Sequence, residues 1–375
     1  MNGAIAIDLN HSIPHYQRTG INSKNYFKRL LQRGLYFYRL MRINKNIKIF
    51  LNYFLGPLLF LWLSASIYNQ VRHQPDLAAS WLKIKHSMQS KEIWDLAMVV
   101  FLMFINWSIE ALKWKISVHH IQPVSFFKSF RAVLSGVSFS VNTPNRVGEY
   151  LGRVLYMEEG NRLRAISLTI VSSMSQLIIT LFAGLIGLFF LKSKVENSEM
   201  IGGLDSSIWL PVLQYGVLFV LLILTLLYFR LSLLSDLVER LPRSTRYAWL
   251  VNSLRTVRAT LLVKLLSLSA VRYIVFIIQY FLLFRLFEVN ISWEQSFWAV
   301  SVVFLVLAII PTFAIAELGL RGKVSLKLLG LFSANSLGIS LTTATIWLIN
   351  LILPAIAGSL LIVSIKIFKN RNERN

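Results

Sequence analysis

Six apolar runs, at about 47–68, 94–115, 165–191, 209–230, 265–287 and 338–365, dominate this sequence. Each is long enough, at about 1.5 Å per helical residue, to cross a hydrocarbon layer about 30 Å thick. Inside such a layer no water satisfies the backbone, so a chain of this kind must fold as helices that close their own hydrogen bonds. With 55% hydrophobic and only 15% charged residues, it is no ordinary soluble globule, for which about a quarter charged is usual. The expected fold class is an all-α polytopic membrane protein with about six full spans.

Charge sets the expected orientation. Thirty-nine Lys and Arg against seventeen Asp and Glu give a formal net charge of +22. With six crossings and the N-terminus inside, and with basic residues near the ends of a run counted in the adjoining segment, the inner segments carry twenty-eight of the basic residues and the outer ones ten, leaving Arg272 within the fifth run. That bias obeys the positive-inside rule. It predicts a multi-pass protein of the plasma (inner) membrane, both termini cytoplasmic, with basic segments facing anionic inner-leaflet lipids. Basic charge used in this way does not require nucleic acid as a partner. Residues 26–43 of the tail read as a basic amphipathic helix on the inner leaflet, and no cleavable signal peptide is expected ahead of the first run.

The chain has no cysteine and six histidines without HExxH spacing, which excludes disulfides, thiolate nucleophiles and Cys-bound metal. His119 and His120 stand without a carboxylate or further His cluster, so no metal and no cofactor are expected. No GxxxxGK[ST] occurs, so turnover is expected to be passive, gradient-coupled or driven by a partner.

Two further apolar stretches, 124–141 and 297–311, are too short to span. The first runs into Asn142 and Pro144, the second into Pro311, and each is followed by charge: NTPNRVGEYLGR and PTFAIAELGLRGK. Such arms are expected to be re-entrant, because irregular backbone and charge at membrane depth persist only inside protein or along a wet cavity. Glu149 and Arg153 recur as Glu317 and Arg321, offset by 168 residues in both cases. The expected organisation is a cytoplasmic tail over 1–46, membrane repeats over 47–191 and 192–365, and a cytoplasmic tail over 366–375. Each repeat crosses three times, an odd number, so the second is inverted relative to the first, with broken helical hairpins meeting at mid-membrane. Spacing alone is weak, since Glu158/Arg162 and Glu239/Arg243 have it too and any such i,i+4 pair stabilises a helix by about 0.2–0.5 kcal/mol. The preceding arm and proline set the two motifs apart.

A helix starting after Pro144 would aim unpaired N–H groups at an anion, most plausibly phosphate. Arg146 and Arg153 suit bidentate contact with phosphate oxygens, and Gly148 allows close backbone approach. Glu149 neutralises Arg153, orients it, or receives a cationic head group. The expected substrate-binding residues are therefore Asn142, Pro144, Arg146, Gly148, Glu149 and Arg153, with Pro311, Glu317, Gly319 and Arg321 from the second half. Asn106, Glu110, Gln176 and Arg272 are secondary candidates. Asn106 reads first as an interhelical hydrogen bond, and Glu110, a turn from Lys113 and Trp114, as an interfacial carboxylate.

With NW and KW on the second run, NTPNRVGEYLGR and the later PTFAIAELGLRG resemble the paired signatures of the flippase-type transmembrane domain of lysylphosphatidylglycerol synthases, over about residues 47–365. The second motif departs from the usual glycine-rich form at Phe313, Ala314 and Ile315. The resemblance implies translocation of a phospholipid or lipid-linked substrate, aminoacylated or otherwise modified, and singles out Arg146, Glu149, Arg153, Glu317 and Arg321. Because the chain ends ten residues beyond the last run, a synthase half is not expected, and any lipid-modifying enzyme would be a separate protein. A transporter is expected rather than an enzyme. The rivals are a membrane-embedded lipid or polyprenyl-phosphate transferase with Glu149 as base, and a scaffold recruiting envelope enzymes through its basic tail.

Overall fold

The computed structural model describes residues 93–141, 143, 146–196, 206–231, 257–310 and 314–363, with Ala65, Leu82 and Leu254. Apart from Ala65, the first expected span lies outside the described residues, as do the tails, the surface helix over 26–43, and Asn142, Pro144 and Pro311. Everything described is helix, short 3-10 or π segment, or connection: α1 (Ile93–Val118), α2 (Phe126–Ser140), α3 (Gly148–Val154), α4 (Arg162–Glu196), α5 (Ser206–Phe229), α6 (Ala259–Leu286), α7 (Trp293–Ile309), α8 (Ala314–Leu329), α9 (Ser336–Trp347) and α10 (Leu353–Val363). Five helical stretches among the described residues are long and apolar enough to cross a membrane: α1, α4, α5, α6, and α9 continued through α10. They match the second to sixth expected runs. The fifth begins earlier than expected, at Ala259, and the third extends from Arg162 to Glu196.

The ends of the short arms have local causes. Ser125 caps α2 by accepting from the Lys128 N–H, and Ser292 and Gln295 close a reciprocal capping box at the start of α7; each satisfies N–H groups a helix start leaves orphaned. α7 stops with Ile310 extended, as the residue before a proline must be. At 15 and 17 residues, α2 and α7 reach only about 22–26 Å, short of a hydrocarbon core. In the last span, Pro354 has no N–H for the carbonyl four residues back. The helix accommodates it with a π segment over Leu348–Ile352, where the Leu353 N–H reaches the Leu348 carbonyl.

Packing crosses between the halves of the chain. α1 lies against α6, α2 against α3 and α10, and α7 against α8 and α4. Missing side chains allow these approaches. A Cβ on Gly358 of α10 would collide with the Leu134 carbonyl of α2, and one on Gly184 of α4 would meet Leu305 of α7. Gly152 of α3 lies against the backbone of Gly136 in α2. Hydroxyl pairs bind the spans further, with Ser175 and Ser269 oxygens 2.8 Å apart between α4 and α6 and Tyr273 donating to Ser301 at 2.7 Å between α6 and α7. α5 instead exposes Val212, Phe219, Leu222 and Leu226, as a lipid-facing helix does.

Gly358→Ala is expected to lower stability by about 1–3 kcal/mol through overpacking. Gly216→Ala, where an added Cβ meets nothing within 4 Å, should leave stability unchanged or raise it by up to about 1 kcal/mol. Thermal unfolding in detergent reads both, and equal shifts would contradict the α2–α10 contact.

Candidate functional site

Asn106, Glu110 and Lys113 recur every three to four residues along α1 and so share one helix face. That face is turned into the protein: Asn106 and Lys113 are fully buried and Glu110 is 4% exposed. A carboxylate removed from water costs several kcal/mol unless it is paired. Glu110 is paired three times. It accepts from Arg153 Nη2 of α3 at 2.8 Å and from Arg272 Nη1 of α6 at 2.7 Å, and Lys113 Nζ stands 3.4 Å away. Arg153 also donates to Glu149 one turn earlier. Arg272 donates through Nε to Asn106 Oδ1 at 2.6 Å, and Asn106 donates to Asn350 in the π segment at 3.4 Å. The faces of Trp107 and Phe276 cover the Arg272 guanidinium at 5.3 and 5.6 Å, which adds cation–π attraction.

Glu317 of α8 centres a second cluster. It accepts from Arg321 Nη2 at 2.6 Å and from Arg146 Nη2 at 3.0 and 3.2 Å, one contact to each oxygen. Arg321 also donates to the Tyr280 hydroxyl at 3.1 Å and lies over the Phe304 ring. Arg146 therefore ties the first motif to the second across 171 residues of chain. Its backbone is left-handed, with φ 58°, a conformation that costs a side-chain-bearing residue about 1–2 kcal/mol. Its side chain stays 46% exposed while that of Arg153 is 1% exposed.

Eight of the expected residues fall in these two clusters: Glu149, Arg153, Asn106, Glu110 and Arg272 in the first, and Arg146, Glu317 and Arg321 in the second. Of the alternatives for Glu149, the structure has it neutralising Arg153. Glu110 is corrected from an interfacial carboxylate to a buried hub. Gly148 is corrected as well. Its N–H donates to the Thr143 hydroxyl at 2.7 Å, and a Cβ there would strike the Phe139 carbonyl, so it serves the α2–α3 packing. That N–H is therefore taken by Thr143, and α3 itself is only seven residues long. Gly319 faces open space, and no hydrogen bond among the described residues ties Gln176 to either cluster.

The sequence reading missed Lys113, Tyr280 and Asn350. Asn350 had a signal, as an amide in an otherwise apolar run four residues before a proline. Lys113 was masked by its neighbour Trp114, which suggested a membrane edge, whereas Trp114 is itself buried and donates to Thr169 at 3.2 Å. His119 and His120 sit in the connection after α1; burial, then the adjacent His119, holds His120 below the ordinary imidazole range.

Compared with known families, residues 50–366 match the model described as the lysylphosphatidylglycerol synthase TM region. No curated protein matches the chain.

Glu110→Ala should cost about 3–5 kcal/mol, because it strands buried cations. Arg146→Ala, which removes a half-exposed partner while Glu317 keeps Arg321, should cost about 0–1 kcal/mol in pairing. Unfolding midpoints of the two variants in detergent test the contrast, and equal losses would contradict it.

Proposed function

The chain belongs to the lysylphosphatidylglycerol synthase transmembrane-region family, and from that premise we propose that this multi-pass membrane protein moves a phosphate-bearing lipid between the leaflets of the plasma (inner) membrane. The observation that carries the reading is the Arg146–Glu317 pair. Two motifs with the same spacing, far apart in sequence, share an ion pair beside a buried charged hub. Charge so placed is expensive and in membrane proteins marks a substrate or ion path.

In this reading, residues 47–191 and 192–365 are inverted repeats and α2 and α7 are re-entrant arms. The exchange of partners supports it, since the arm of each half packs against the last span of the other, α2 on α10 and α7 on α4. Both termini are cytoplasmic in this reading, which the uneven distribution of basic residues between alternate segments supports.

The two clusters divide the work. The Glu110 hub stays intact and holds α1, α3 and α6 in register. The Arg146–Glu317 pair is the part that opens. A half-exposed pair is weak, and a lipid phosphate offers Arg146 a bidentate partner in place of the carboxylate. Released Glu317 remains held by Arg321. Exchange of carboxylate for phosphate on one guanidinium then couples head-group entry to separation of the motifs, and relief of the left-handed backbone at Arg146 favours the move. Asn142, Pro144 and Pro311 flank this path in the sequence, and Gly319 leaves space beside Glu317.

Purified protein in liposomes should translocate an acyl-labelled phospholipid well above protein-free background. Arg146→Ala and Glu317→Gln should each slow it at least tenfold, while Gly216→Ala matches the parent. Background rates for the parent with every phospholipid head group tried would overturn the proposal.

A further inference from the structure

Among the described residues, the charges of the two clusters do not balance. Three carboxylates, Glu110, Glu149 and Glu317, face five basic side chains, Lys113, Arg146, Arg153, Arg272 and Arg321, an excess of two positive charges. On a surface such an excess would be screened by water and salt. Here four of the five cations are largely buried, with side chains 1–12% exposed, and unpaired buried charge is strongly unfavourable. The aromatic faces over Arg272 and Arg321 soften the imbalance without supplying negative charge.

Hydrogen-bond capacity is left over on the same side chains. A guanidinium has five N–H donors and no acceptor. Arg153, 1% exposed, spends Nη2 on Glu110 and Glu149, and among the described residues its Nε and Nη1 have no partner. The Nε of Arg321 is likewise without one among the described residues. Spare positive charge and spare forked donors on buried arginines call for the same thing, an anion with several oxygens, of which phosphate is the fitting class. By contrast, no carboxylate of the three is left without a cation.

We propose that this site selects a lipid head group of net negative charge and discriminates against aminoacylated head groups, whose added ammonium brings positive charge into a site already in positive excess. This rests on the transport reading above and narrows its substrate class. The head-group phosphate meets Arg146, the half-exposed cation of the site, and the charge count sets the preference. Lys113→Met, which lowers the excess to one, narrows the preference. Glu149→Gln, which raises it to three, widens it.

The test uses the full chain in phosphatidylcholine liposomes with acyl-labelled phosphatidylglycerol or its lysyl ester, and thermal unfolding in detergent with the same lipids or inorganic phosphate. The expected result is translocation of phosphatidylglycerol at least tenfold faster than the lysyl ester. Its lead should shrink in Lys113→Met and grow in Glu149→Gln, and phosphatidylglycerol should raise the unfolding temperature more than inorganic phosphate. Equal rates, or a faster lysyl ester, would overturn the charge selection while leaving transport standing. If neither lipid crosses, transport fails, and the unfolding shifts alone decide: a shift with phosphatidylglycerol and none with its lysyl ester supports the selection, and equal shifts overturn it. A shift with inorganic phosphate and with neither lipid would reassign the site to a free anion and overturn the lipid assignment.

Discussion

Glu110 carries the constraint on which the rest depends. A carboxylate sunk into a bundle of apolar helices is tolerable only with cations at hydrogen-bond distance, and those cations must come from elements that packing brings within reach. Arg153 from α3, Arg272 from α6 and Lys113 from α1 itself meet that demand. The short arm α2 positions α3, and the glycine contacts that seat α2 on α10 and α3 on α2 thereby serve the electrostatics. Packing and charge are one problem here: an arm displaced by an added methyl group would carry Arg153 away from its carboxylates.

The two clusters differ in a way that suits them to different tasks. Around Glu110 the partners are largely buried, with side chains 1–12% exposed, and the bonds cross three helices, so loss of any one leaves others unsatisfied. Around Glu317 one partner, Arg146, is half exposed and held on strained backbone. In the proposed mechanism the first cluster supplies stability and the second responds to the head group. The segment 146–153 contributes to both, with Arg146 on Glu317 and Arg153 on Glu110.

The sequence made much of this legible. Apolar runs located five described spans to within several residues, because span length is set by bilayer thickness rather than by tertiary detail. The repeated Glu–Arg spacing pointed to Glu149, Arg153, Glu317 and Arg321, because unneutralised charge in apolar surroundings is conspicuous. Two kinds of feature stayed hidden. One is pairing across the chain: nothing near Glu110 in sequence tells of Arg153 or Arg272, and its local neighbours Lys113 and Trp114 imitate a membrane edge. The other is the purpose of small residues. Gly148 reads equally well as a phosphate cradle and as a packing contact, and only the nearness of the Phe139 carbonyl decides. The π segment around Asn350 follows from Pro354, but its bond to Asn106 depends on how α1 and the last span are set side by side.

The two motifs meet through Arg146 and Glu317, and cross-linking reads that contact. The chain has no cysteine, so Arg146→Cys with Glu317→Cys introduces the sole thiols, and a short bis-thiol reagent applied to native membranes should join them. Mass spectrometry of the linked peptides should find the pair joined as efficiently as the control Ser175→Cys with Ser269→Cys, whose parent oxygens lie 2.8 Å apart. A joined control with Arg146→Cys and Glu317→Cys left unjoined would contradict the account.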